Sequence, residues 1–168
     1  MRVIWIVAAL LLALSPAWAQ SPKAAVFDFE LADTSLEGEK SGPQSDEQAR
    51  LRSISDQLRK GLAESGRFDV LDLAPVRAEA HNANLQACGG CDVQFAQRLG
   101  ADLAITGVVH KVSTLILNMT IFVRNARTGR LITAANADFR GNTDESWART
   151  TSFLLRNRLL APDYGVPK

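Results

Sequence analysis

The chain has two cysteines, and they stand together as Cys88-Gly89-Gly90-Cys91. Two thiols at this spacing suit four kinds of chemistry. Covalent haem attachment needs a histidine after the second cysteine, and Asp92 occupies that place. A structural zinc site needs four nitrogen, sulfur or oxygen ligands, and His81 is the single histidine nearby. A redox dithiol gains from a helix N-terminus, which lowers a thiol pKa. Its usual thioredoxin-like setting, however, follows an early strand with an aromatic residue before the pair, and here Asn84-Leu85-Gln86-Ala87 precedes it. The fourth reading is a local disulfide in an oxidising compartment, for which the two glycines supply the backbone freedom of a tight ring. So short a loop removes little chain entropy, which places its stabilisation toward the low end of the ~0 to 5 kcal/mol range. The redox dithiol and the structural disulfide both stay open at this level.

Other reactive side chains are scattered. Asp28 and Glu30 alternate with aromatics in Phe27-Asp28-Phe29-Glu30-Leu31, which assigns them to the solvated face of a strand unless they find catalytic partners. His81 sits in a polar stretch, and His110 falls with Lys111 at a strand end, where both read as surface residues. A nucleophile-elbow G-x-S-x-G and a glycine-rich phosphate loop are both missing from the chain. No catalytic residue, metal or cofactor is therefore expected.

The amino terminus bears on the compartment. Arg2, the apolar run Val3 to Leu14 and the small-x-small Ala17-Trp18-Ala19 form a secretory signal with cleavage after Ala19. The run is about a dozen residues, short of the ~20 of a spanning helix, so no stable membrane insertion is expected after cleavage. Residues 20–168 then form one soluble periplasmic domain of ordinary size. Its basic and acidic residues balance once Arg2 is removed, which argues against a nucleic-acid partner.

Periodicity supplies the elements that position these groups. Lys23 to Leu31 reads as a half-buried strand with Phe27, Phe29 and Leu31 on one face. Residues 32–45, rich in glycine, serine and acids, read as a mobile or functional loop. Ser45 with Gln48 suggests a capping box, and Leu51, Ile54, Leu58 and Leu62 follow at helical spacing until Gly66. Phe68 to Leu73 reads as a strand ended by Pro75, Val76 to Leu85 as a weak helix, and Asp92 to Leu99 as a short helix with the cysteines at its start. Three β-rich segments come next: 103–109, 115–123 and 131–139. Asn125-Ala126-Arg127-Thr128-Gly129 turns between the last two, so an antiparallel meander follows. Thr143 or Asp144 caps a last helix that buries Trp147, Phe153, Leu154 and Leu160. The order gives an α+β fold, a mixed sheet with helices packed mainly on one face.

Leu99-Gly100-Ala101-Asp102, then Gly107, then Ala126-Arg127-Thr128-Gly129 after a strand resembles the N-terminal domain of TolB and related periplasmic modules. Lys111-Val112-Ser113, Leu115-Ile116-Leu117 and the segment Arg140 to Trp147 are closer to a secreted bacterial family, domain of unknown function 2380. The resemblance implies a TolB-like fold. Related domains in curli-secretion and cell-wall-synthase-activating lipoproteins mainly make protein contacts, so the implied partner is an envelope protein. The closer family is also associated with periplasmic quinoprotein alcohol-oxidation systems. A thiol-disulfide or electron-transfer accessory is one alternative, and small-ligand binding between the sheet and its loops is another. Candidate contact surfaces are the acidic segment with Asp33, Glu37 and Glu39, and the turn with Arg140, Asn142 and Asp144. In that turn Arg140 also reads as a plain strand-end charge, Asp144 as a helix cap and Trp147 as core.

Overall fold

The computed structural model describes residues 21–161, so the expected export signal lies outside the described residues. In chain order the elements are β1 (Lys23–Asp33), α1 (Leu36–Ser41), α2 (Ser45–Glu64), β2 (Asp69–Val70), α3 (Arg77–Asn82), α4 (Cys91–Arg98), β3 (Leu103–Lys111), β4 (Ile116–Asn125), β5 (Leu131–Arg140) and α5 (Asp144–Leu154). A π-helical turn, Leu155–Leu159, continues α5. The strands form one mixed sheet in the order β2-β1-β3-β4-β5. β1 runs parallel to both its neighbours, and β3, β4 and β5 form the expected antiparallel meander.

The two phenylalanines of β1 do not share a face. The ladder with β3 shifts between Val26 and Phe29, where one extra residue enters β1 as a bulge. Beyond the bulge the phase of the side chains is reversed. Val26 and Phe29 consequently enter one core and Phe27 the other, where its ring lies 6.3 Å from that of Phe95. Phe29 lies opposite Gly107, and a Cβ on that glycine would run into the Phe29 ring. The strand can approach so closely because the position has no side chain.

The larger core lies between the sheet and the two long helices. α2 contributes Leu51, Ile54, Leu58 and Leu62, all buried, and α5 contributes Trp147 and Leu154. Each such side chain stabilises the fold by ~1.5–3 kcal/mol relative to exposure. Thr143 caps α5 reciprocally with Ser146, in keeping with the threonine at that place. Phe153 is exposed instead of buried, Leu160 is only partly buried against the core, and Leu159 is buried in it. The opposite face carries a smaller core under α3 and α4, with Ala25, Leu73, Ala80, Ala96 and Ala104.

Three local expectations are corrected. Residues 32–45 are not a loop: β1 continues to Asp33, and a one-turn helix follows whose N-cap, Ser35, accepts from Gly38 N at 3.1 Å. Ser45 does not cap α2, because extended Gln44 stands at the N-cap with its backbone C=O accepting from Gln48 N at 3.1 Å. The strand expected at 68–73 shrinks to two residues, because Phe68 and Leu73 turn into different cores and only Asp69 and Val70 keep register with Lys23 and Ala24.

Candidate functional site

A buried ammonium organises the end of the sheet where β1 and β3 finish. Lys111 has the same strand phase as Ile105 and Val109, so its side chain enters the larger core and is 0% exposed. The sequence places Lys111 only at a strand end beside His110, and the phase of β3 is what buries it. Its Nζ lies 2.6 Å from Glu47 Oε1 on α2, 2.8 Å from Glu37 Oε2 on α1 and 3.2 Å from Asp33 Oδ2 on β1. Burial alone would lower the lysine pKa. The hydrogen bonds to Glu37, Glu47 and Asp33 outweigh it and hold the ammonium above its ordinary value. For Asp33, burial pushes upward, and the bonds from Ser35 and Lys111 bring the carboxyl below its usual range.

The network continues into the turn before α5. Asn142 donates to Glu47 Oε1 at 2.6 Å and accepts from Trp147 Nε1 at 3.0 Å. Arg50 donates to Asn142 Oδ1 at 3.3 Å, to Asp144 at 2.7 Å and to Asp46 at 2.7 Å. Desolvation lowers the Arg50 pKa, and the bonds to Asp144 and Asp46 raise it further than that. Asp33, Glu37, Asn142 and Asp144, drawn from separate stretches of sequence, thus meet in one network around Lys111 and Arg50. Glu39 and Arg140 are exposed and stay outside it. Sequence reasoning misses Glu47 and Lys111 as members. The usable signal is the phase of Lys111 with Ile105 and Val109.

An apolar tip projects beside this network. Leu36, Val112, Leu115 and Ile116 are each between 53% and 74% exposed. Thr34 joins their two segments, donating through its N–H at 2.9 Å and its hydroxyl at 3.2 Å to Lys111 O. This end thus combines a buried polar network below with uncovered aliphatic surface above.

The cysteines lie elsewhere, at the start of α4, joined as a disulfide with Cα atoms 5.7 Å apart. Gly89 and Gly90 both have positive φ, at 70° and 107°, which explains why both intervening residues are glycine. Asp92 is buried beside them, with Arg124 Nε at 3.4 Å. Among the described residues, no cluster of histidine, cysteine and acids is placed to hold a metal ion.

A third feature is a cleft of about 520 Å³ along β1, from Phe27 to Ala32. Gln48 and Leu51 of α2 form one wall, and residues 77–86 form the other. His81 and His110, the two histidines of the chain, both line it, and both are exposed as expected. The acids of β1 are not simply solvated here. Asp28 is ion-paired with Arg59, and Glu30 accepts from Leu85 N at 2.7 Å and Gln86 N at 3.1 Å, which ties the second wall to the strand.

The family described as protein of unknown function (DUF2380) matches residues 22–159. No curated protein sequence matches the chain. The LpoB C-terminal domain from Salmonella enterica is similar in structure, with a TM-score of 0.51 at 13% identity over 74% of this chain and 86% of that one. The LpoB C-terminal domain from Escherichia coli gives 0.50 at 13% identity over 70% and 82%. TolB from Acinetobacter baumannii gives 0.44 at 13% identity over 82% of this chain and 29% of that one. At these identities the likeness to the two LpoB domains is one of fold, and it agrees with the α+β architecture expected from the sequence. Among the described residues no helix is long and apolar enough to cross a membrane.

Proposed function

This chain belongs to the family described as protein of unknown function (DUF2380), and on that premise we propose that it is a non-enzymatic accessory protein of the bacterial envelope. It is exported to the periplasm and works by contact with another envelope protein. The observation that carries this reading is the apolar tip of Leu36, Val112, Leu115 and Ile116, uncovered and held over a buried ionic network. A soluble domain retains such a patch at a cost in solubility, and the usual return is a binding partner. The exposed charges of Glu39, Asp144 and Arg140 lie on the acidic segment and the turn before α5, and serve as rim to the same contact.

The test is a photo-crosslinking residue at Leu115 in native cells. A discrete adduct with one envelope protein, lost when Val112 and Ile116 of the crosslinker-bearing chain are both replaced by aspartate, supports the reading. No adduct, or one indifferent to the two aspartates, overturns it.

A second reading is favoured by one observation, the exposure of Cys88 at the start of α4. Here the pair exchanges electrons with a partner as a thiol-disulfide accessory. A redox titration separates the two: a pair that stays oxidised far below thioredoxin's ~−270 mV is structural.

A further inference from the structure

β1 has an outer edge that no strand covers for most of its length. β2 pairs only with Lys23 and Ala24, so from Ala25 to Asp33 that edge has no strand neighbour. Hydrogen bonds at either end of the run set the direction of its backbone groups. Phe29 N–H points outward and donates to Ser55 Oγ at 2.9 Å, whereas Thr34 N–H points inward and donates to Lys111 O at 2.9 Å. Successive residues of a strand alternate in this respect, so Leu31 N–H and C=O point outward like those of Phe29. α2 covers the nearer part of the edge with side chains: Arg59 Nε donates to Val26 C=O at 3.0 Å, and Ser55 holds Phe29 N–H. Its cover stops there. Among the described residues no hydrogen bond outside the strand ladder is made by the N–H or C=O of Leu31.

The cleft described above takes in this same edge, with Leu51 on one wall and Ala80 and Leu85 on the other, and extends past it over Val108, His110 and Phe122. A strand of about six residues spans ~20 Å, the length of β1 that the cleft follows. Its charges are unevenly matched. The two carboxylates of β1 are already engaged, Asp28 by Arg59 and Glu30 by two backbone N–H groups. Arg77 lies 3.6 Å from Asp72 with both side chains well exposed, and the imidazoles of the two histidines line the mouth as further hydrogen-bonding groups.

We propose that this cleft takes an extended segment of a partner polypeptide, added as a strand to the outer edge of β1, with apolar side chains against the walls and an acidic residue toward Arg77 and His81. Main-chain hydrogen bonds to Leu31 supply the register, and the walls supply selectivity. The proposal deepens the contact reading and rests on it, by naming a second surface and the chemistry of what it binds.

The probe is a fluorescein-labelled eight-residue peptide of alternating valine and glutamate, titrated into the exported protein and read by anisotropy. Three companions are measured with it: the peptide with lysine for glutamate, the peptide with every internal amide methylated, and the parent peptide against Leu31→Pro. Proline suits this position because its missing N–H is the one facing away from β3. The expected result is saturable binding of the parent peptide, weakened about tenfold by lysine, by methylation and by Leu31→Pro. Absence of saturable binding, equal affinity for the methylated peptide, or tighter binding of the lysine peptide overturns the proposal. If Leu31→Pro does not fold, the methylated peptide reads the same hydrogen bonds without touching the protein. Should the Leu115 adduct form while the peptides fail, this proposal falls and the contact reading stands; loss of the adduct removes the reading beneath it.

Discussion

Replacing Lys111 by methionine keeps the length and apolar stem of the side chain and removes the ammonium. The loss is not shared evenly among the three acids. Asp33 and Glu37 have side chains 15% and 47% exposed and can turn to water, whereas Glu47 is 1% exposed. In the variant, the Glu47 carboxylate keeps only the bond from Asn142 to Oε1, and its Oε2 already has no partner. Removing one member of a buried ion pair costs ~3–5 kcal/mol, because the remaining charge stays desolvated. For a domain of this size that lowers Tm by about 10–15 °C. Glu47→Gln in the same background removes the stranded charge and still accepts from Asn142, so the double variant regains about 2 kcal/mol. Urea unfolding followed by the fluorescence of Trp147, the only tryptophan among the described residues, measures all three chains. The network also has a pH signature. The Lys111 pKa is raised on folding, so its contribution is complete below the ordinary 10.5 and disappears as pH climbs through the folded value. The Asp33 pKa is lowered, so its contribution is complete above 3.8 and disappears as pH falls through the folded value. The wild-type plateau spans the interval between them, and Lys111→Met removes the alkaline limb. A cost below about 1 kcal/mol, or a double variant no better than the single one, would refute the argument that this charge cluster is desolvated.

Three further expectations follow from separate features. Reducing the Cys88–Cys91 disulfide, whose ends are 3 positions apart in sequence, costs about 2 kcal/mol on the chain-entropy estimate for a ring of about four residues; urea midpoints with and without reductant measure it. Gly107→Ala drives a methyl group into the Phe29 ring and costs ~1–3 kcal/mol by the same unfolding assay. Glu30→Ala leaves Leu85 N–H without its acceptor and Gln86 N–H with Asn84 Oδ1 alone, so limited proteolysis should cut residues 84–91 at least severalfold faster while global stability falls by only ~1–2 kcal/mol.

Elements with a sustained period are legible in the order of residues alone. Leu51, Ile54, Leu58 and Leu62 set the buried face of α2, and the Asn125 to Gly129 turn sets the meander, because each rests on local spacing. What stays hidden has no local signature. A bulge adds one residue without changing residue types, so Phe27 and Phe29 look like one face when they belong to two. Glycine, serine and acids between residues 32 and 45 give the composition of a loop, and a helix of six residues capped by Ser35 is lost in it. Lys111 looks like any charge at a strand end, since its burial depends on acids 64 to 78 positions earlier in the chain. The turn residues Asn142 and Asp144 are identifiable as polar. Their convergence on Glu47 and Arg50 needs the tertiary fold.

On the proposed reading the protein acts through its surface and its thiols serve the fold. The most direct test of that reading is the yield of the Leu115 crosslink in native cells for the double variant C88S/C91S, with soluble protein levels matched to wild type. An adduct of the same size at an undiminished yield is the expected result. A folded variant that no longer forms it would contradict the account and make the cysteine pair the working part of the molecule.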